Sequence, residues 1–217
     1  MRKVHIEDDL VRSSVLDMSS TIRFAKVRDA AAMIDFYGPL ISDTAISFET
    51  RPLTLEALEV RMRSIMAKYP WLVCEIDGSI AGFSYAGPHR SRPGYLWSVE
   101  TSIYVSAEFR RRGVGLGLYQ SLLALLDVQG YQMAYAGITV PNEASMELHR
   151  SLGFEEIGVY RNAGFKLDSW HDASWWQRQI GGSLPENPSP PLTPDEASTR
   201  APQEWAAALQ SGLDSIK

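Results

Sequence analysis

The chain has 217 residues, 45% of them apolar, with 21 Lys and Arg against 26 Asp and Glu and a formal net charge of −5. That length and apolar content suit one domain with tails, and the acidic balance argues against a nucleic-acid or anionic-membrane surface. A single cysteine, Cys74, excludes an internal disulfide and a cysteine metal cluster, and no apolar window approaches bilayer length, so a cytoplasmic protein without a metal is expected.

Residues 1–20 mix charged, polar and apolar character without a period and read as an N-terminal extension. Glu7, Asp8 and Asp9 stand where a signal sequence would be apolar. A domain is expected over 21–180. Thr21 to Ala25 reads as its first strand, and Asp29 as the cap of a helix with Ala32, Met33, Phe36, Tyr37 and Leu40 at helical spacing, which Pro39 is expected to disturb. A second helix starts after the N-cap Thr54, carries Leu55, Leu58, Met62, Ile65 and Met66 on one face, and ends before Pro70. Leu72 to Ile76 and Ile80 to Tyr85 flank Asp77-Gly78, a dipeptide that favours the tight turns of β-hairpins.

After the loop Gly87 to Gly94 a long strand is expected from Tyr95 to Val105, followed by a glycine-rich turn and a helix over Gly115 to Val128. Tyr131 to Val140 reads as a fifth strand. Asn142 caps a short helix that stops at Gly153, and Phe154 to Tyr160 and Phe165 to Asp168 extend the sheet. The fold class is mixed α/β. From Gly181 the composition shifts to Gly-Gly-Ser and five prolines within Pro185 to Pro194. A short helix over Gln203 to Leu209 follows, so 181–217 reads as a Pro-rich linker and C-terminal tail.

The turn Arg110-Arg111-Arg112-Gly113-Val114-Gly115-Leu116-Gly117 lies between a strand and a strongly apolar helix. Glycines admit close backbone approach, the new helix offers unpaired N–H groups, and the arginines add charge, so a diphosphate is the natural guest. No Gly-x-x-x-x-Gly-Lys-Ser/Thr occurs, and Leu118 stands where a dinucleotide fingerprint needs its third glycine.

Read as Arg-x-x-Gly-x-Gly, the residues Arg110, Gly113 and Gly115 resemble the pyrophosphate loop of the GNAT superfamily of N-acetyltransferases. Trp97 to Val105 is similar to the strand that carries a glutamate base in its phosphinothricin acetyltransferase branch. Asn142 to Ser145, Leu148-His149, Gly153-Phe154 and Gly164 to Gln177 resemble further signatures of that branch. The resemblance covers roughly Thr21 to Ile180. It implies the GNAT fold, a central mixed, mostly antiparallel twisted sheet of about six to seven strands flanked by about four helices. It also implies acetyl-CoA as co-substrate, a small-molecule amine as acceptor, and a homodimer.

Carried over residue by residue, the resemblance makes Glu100 the general base, on the same strand face as Ser102 and Tyr104. It gives Ile103, Tyr104 and Val105 to the pantetheine arm, and Arg110, Arg111, Arg112, Gly113, Val114, Gly115 and Leu116 to the diphosphate. Asn142 is a further cofactor contact or only a helix cap. His149 and Tyr104 are candidate acids for the departing thiolate, although His149 reads first as a packed helical residue that hydrogen-bonds a neighbour. The branch places an arginine four residues before the glutamate, within Pro-x-Tyr-Arg; this chain has Pro93-Gly94-Tyr95-Leu96. Leu96 would deny an acidic substrate a bidentate partner, which puts phosphinothricin itself in doubt. Arg90 and Arg92 stand near enough in sequence to replace it, and Tyr37, Phe48, Tyr95 and Trp97 are candidate pocket walls. The same residues also suit a non-catalytic acyl-CoA sensor or assembly module, for which Glu100 has no use, and, less well, a methyltransferase, whose sulfonium cofactor three arginines do not suit.

Overall fold

The structure, a computed structural model, describes residues 19–217. One sheet carries seven strands: β1 (Ser20–Phe24), β2 (Trp71–Ile76), β3 (Ser79–Pro88), β4 (Ser98–Val105), β5 (Met133–Val140), β6 (Glu155–Lys166) and β7 (Ser169–Gln179). Their order is β1-β2-β3-β4-β5-β7-β6, and every pairing is antiparallel except β4 with β5. Among the described residues there are six α-helices: α1 (Ala30–Asp43), α2 (Leu55–Met66), α3 (Val114–Gln129), α4 (Glu143–Ser151), α5 (Pro194–Arg200) and α6 (Pro202–Gln210).

Both faces of the sheet are covered. On one, α1 and α2 bury Met33, Tyr37, Ile41, Leu58 and Met62 against Trp71, Val73 and Phe83. On the other, α3 buries Leu118, Leu122, Leu125 and Leu126 against Leu72, Cys74 and Ile76. Alternate residues of β2 thus enter different cores, which explains a strand that is apolar at nearly every position. Thr54 caps α2 by accepting from Ala57 N at 3.2 Å, and Gly130 at φ +90° closes α3 in the left-handed region that favours glycine.

Several sequence expectations need correction. Pro39 does not disturb α1, which runs through it to Asp43; Pro39 and Asp35 are both exposed, so the carbonyl that loses its helical partner is left to water. Asp29 precedes α1 without capping it by side chain, because its carboxylate accepts from Arg23 and from Lys26 N instead. The long strand begins at Ser98 rather than Tyr95, since Pro93–Tyr95 forms a 3-10 turn that Leu96 N closes onto Pro93 O at 3.0 Å. Phe154 to Tyr160 and Phe165 to Asp168 belong to one strand, β6, whose register shifts between Tyr160 and Gly164, and the turn Leu167-Asp168 leads into β7.

The C-terminal residues are not a trailing appendage. Helices α5 and α6 lie on α3, with Ala197, Trp205 and Ala208 buried in the same core and Trp205 stacked on Phe24 at 5.5 Å. The linker is tied down as well: Gln129 Nε2 donates to Leu192 O at 2.6 Å and Trp97 Nε1 to Ser189 O at 2.8 Å. Truncating a buried tryptophan leaves a cavity, so Trp205→Ala is expected to destabilise the whole domain by about 3 kcal/mol. Urea unfolding followed by near-UV circular dichroism measures this; an unchanged midpoint would mean that the helices dock without contributing to the core.

Candidate active site

Strands β4 and β5 are paired only at their start, Ser98–Glu100 against Met133–Tyr135. Beyond that point they part, and Thr101 Oγ1 reaches across to Tyr135 O at 3.2 Å. A fork opens in an otherwise continuous sheet. Its cleft, of about 60 Å³, is lined by Thr101, Ile103, Ala136, Ile138, Tyr119 and Asn142 among others. β4 remains paired with β3 through Val105, so on its other edge alternate backbone N–H and C=O groups face the gap. Such an edge is a ready partner for an extended, amide-bearing chain.

Glu100 sits at the closed end of the fork, with its side chain 40% exposed. Burial raises its pKa from the ordinary glutamate value, and Arg90 nearby pulls in the opposite direction. Glu100 Oε2 lies 3.9 Å from His89 Nδ1 and 3.9 Å from Arg90 Nη1. The His89 side chain is 10% exposed; it stacks on Tyr135 at 4.1 Å and meets the edge of Tyr95 at 5.8 Å. Its Nδ1 is buried with no hydrogen-bond partner among the described residues. Burial, and secondarily Arg90, lower the His89 pKa, so the ring is neutral at neutral pH. Arg90 in turn lies over Trp175 at 5.5 Å. Sequence reasoning missed His89 as a site residue, since only its place next to Arg90 pointed to it.

At the open end, the turn before α3 has two residues in left-handed conformation, Arg111 at φ +60° and Gly113 at φ +80°. A left-handed non-glycine residue costs roughly 1–2 kcal/mol, and alternation of hand folds successive N–H groups into an anion-binding concavity. Gly115 faces the cleft: a Cβ there would meet Leu148 Cδ2 at 3.2 Å and Ile103 Cδ1 at 3.6 Å. Gly113 faces the other way, its Cβ direction filled by Ser215 O at 1.7 Å. The residues expected to cradle a diphosphate therefore fit one, with the side chain positions of Gly113 and Gly115 on opposite sides of the helix. Val114 is buried beneath the turn, and Leu116 packs against the α3-side core.

Asn142 caps α4, accepting from Ser145 N at 3.3 Å, and lines the cleft as well. His149 is 2% exposed, with Nδ1 2.7 Å from Ser145 O and Nε2 3.2 Å from the Tyr119 hydroxyl. Nδ1–H must donate to that carbonyl, leaving Nε2 to accept from Tyr119, so the ring carries no second proton to release. Burial lowers its pKa and keeps it neutral. Tyr104 turns its ring to the α1 face, 4.4 Å from Tyr37 and 5.2 Å from Phe83, and burial raises its pKa.

The expected pocket walls are dispersed. Tyr95 joins the Glu100 cluster, beside Pro93 and Gly94 in the exposed turn, whereas Trp97 is engaged by Ser189 and Tyr37 lies in the core. Phe48 lies against Gly164, and Leu96 is 48% exposed. Among the described residues no group of three metal-ligating side chains occurs, and no helix is long and apolar enough to cross a membrane.

Residues 22–175 match the acetyltransferase (GNAT) domain family. The chain belongs to the GNAT acetyltransferases. It is 38% identical over 172 residues to a phosphinothricin N-acetyltransferase of Streptomyces viridochromogenes, covering 79% of this chain and 94% of that protein. It is 33% identical over 164 residues to an L-methionine sulfoximine/L-methionine sulfone acetyltransferase of Salmonella typhimurium, covering 74% of this chain and 94% of that one. Among solved structures, a phosphinothricin acetyltransferase from Sinorhizobium meliloti in complex with AcCoA superposes with a TM-score of 0.75 at 30% identity, over 79% of this chain and 94% of that one. The resemblance to the phosphinothricin branch, the mixed seven-stranded sheet and the acetyltransferase class all stand. The docked residues after Ile180 lie outside the family domain.

Proposed function

We propose that this GNAT acetyltransferase moves the acetyl group of acetyl-CoA to the primary amine of a small molecule related to amino acids, with Glu100 as general base. The observation that carries this reading is the fork between β4 and β5, which has Glu100 at its closed end and the Arg111–Gly113 turn at its open end. Ile103 to Val105 would line the pantetheine arm and the amides from Arg111 to Leu116 the diphosphate.

The acceptor arrives as an ammonium with a pKa near that of lysine, so one proton must leave before attack. The part-exposed Glu100 carboxylate is the group that meets the ammonium, with the neutral, buried His89 Nδ1 3.9 Å behind its Oε2. Glu100 takes one proton; the freed nitrogen lone pair forms the N–C bond. The C–S bond then breaks, the nitrogen releases its second proton to solvent, and the thiolate takes one up. A thiol of ordinary pKa, about 8.5, leaves without a dedicated acid, which agrees with the placement of His149 and Tyr104. We assign His149 instead to holding Tyr119 at the cleft wall.

Arg90 is the cation nearest Glu100 and the natural partner for an acceptor carboxylate, given the exposed Leu96. Arg90→Leu is expected to lower kcat/KM for carboxylate-bearing amines by roughly 10- to 100-fold, the loss of a charge-assisted hydrogen bond, with little effect on neutral amines. Because Arg90 depresses the Glu100 pKa, its removal should also move the acidic limb of the pH profile upward. Equal losses for both amine classes would discard Arg90 as the carboxylate partner. The exposed apolar residues Ile157, Val159 and Tyr160 of the edge strand β6 support the homodimer, which sedimentation tests.

The reaction class is tested by release of free CoA from acetyl-CoA across phosphinothricin, methionine sulfone, methionine sulfoximine, neutral and aromatic amino acids and polyamines. Turnover with any of them supports the reading. Tight acetyl-CoA binding with no turnover would favour the acyl-CoA sensor.

A further inference from the structure

The last residues of the chain reach the turn that precedes α3. Lys217 N donates to Arg112 O at 2.9 Å, and Arg112 Nε donates to Lys217 O at 3.1 Å. Ser215 O occupies the Cβ direction of Gly113, and its Oγ donates to Gln120 Oε1 at 2.7 Å. One turn further along, Gly212 and Gly117 touch backbone to backbone: a Cβ on Gly212 would lie 1.9 Å from Gly117 O, and one on Gly117 2.5 Å from Gly212 O. Ser121 Oγ completes the seam, donating to Leu209 O at 2.8 Å and standing 3.1 Å from Gly212 N, which donates to it. Three glycines at one contact make the fit close enough that no side chain is tolerated there.

That seam has a consequence for the turn. In a trans peptide the C=O and N–H point in opposite directions. Since the Arg112 carbonyl is drawn to Lys217 N, the N–H of Gly113 in the same peptide points away from the C-terminal segment. Arg111, one residue earlier, is held in the left-handed region, a conformation that persists in a non-glycine residue only where neighbours over-determine it. Among the contacts that restrain its successor are the two-way clamp from Lys217 and the stacking of Arg112 on Phe109 at 5.5 Å.

We propose that Gly212–Lys217, a segment outside the family domain, is a positioning element of the acetyl-CoA site: it locks the Arg111–Gly113 turn so that its amides present a preformed cradle to the donor's diphosphate. The proposal rests on the donor reading of the previous subsection. Binding to a cradle already ordered avoids the cost of ordering it, so the gain falls on ligands that carry the diphosphate and not on those that lack it.

The experiment compares CoA, which has the diphosphate, with pantetheine, which does not, by calorimetric titration of the full-length protein and two variants. Gly212→Val forces the segment off Gly117; deletion of Ser215–Lys217 removes the clamp while leaving α5 and α6 docked. Each variant is expected to raise the CoA Kd about tenfold or more, the scale of a lost charge-assisted contact, while pantetheine affinity changes less than about twofold. Thermal melting confirms that each variant is folded, and the deletion carries the test where Gly212→Val is not. An unchanged CoA Kd in a folded variant, or equal losses for both ligands, would overturn the positioning role. Failure of the parent protein to bind CoA at all would instead overturn the donor reading, and the proposal with it.

Discussion

Glu100→Gln will lower kcat by about two to four orders of magnitude while leaving CoA affinity unchanged, because it removes the proton acceptor and nothing that touches the donor. Its effect on stability should have the opposite sign. The folded-state pKa of Glu100 is raised by burial. A group so shifted binds its proton more tightly in the folded protein, so its favourable contribution is present below the unfolded pKa and lost as pH rises through the folded one. At neutral pH the ionised carboxylate opposes folding, and the neutral amide relieves this. Melting temperature should therefore stay level or rise as activity collapses. For the parent enzyme, kcat/KM should fall as pH drops through that raised pKa. Full activity in the Gln variant would end the assignment of Glu100 as base; a fall in kcat accompanied by an equal loss of CoA affinity would mean general damage to the fork.

The parts of the site that a sequence shows best are those fixed by local chemistry. Arg110 to Gly117 announces a tight turn into a helix because of its clustered glycines, and the left-handed Gly113 is where that turn falls; Asp77-Gly78 announces its hairpin for the same reason. Asn142 and Gly153 bracket α4 as cap and stop. What stayed hidden depends on distance along the chain. His89 and Glu100 are eleven residues apart, and only the pairing of β3 with β4 brings the end of one strand beside the start of the other. Trp97 has the composition of a pocket wall, but its indole is taken by Ser189, 92 residues away. Strand β7 shows no simple alternation, and its insertion between β5 and β6 follows from side-chain packing that no short window contains. The proline-rich stretch after Gly181 has the composition of a linker, and composition does not record that α3 offers Gly117 and Ser121 as a landing strip.

Gly113→Val is expected to raise the CoA Kd about a hundredfold, for two reasons that can be separated. Valine is β-branched and strongly disfavours φ near +80°, so the turn would give up the conformation that aims its amides. Its side chain would also drive into Ser215 O, which occupies that space, and displace the C-terminal segment. The obstruction of the diphosphate itself, the simplest guess from sequence, is not the cause, since Gly113 presents that face to residues 212–217 rather than to the cleft. Combining Gly113→Val with deletion of Ser215–Lys217 tells the two causes apart. If the steric clash dominates, the deletion absorbs it and the double variant binds CoA no worse than the deletion alone. If the backbone conformation dominates, the two losses add, because removing the neighbour does nothing for a valine that cannot hold a left-handed φ. An unchanged Kd in the single variant would remove this turn from donor binding altogether.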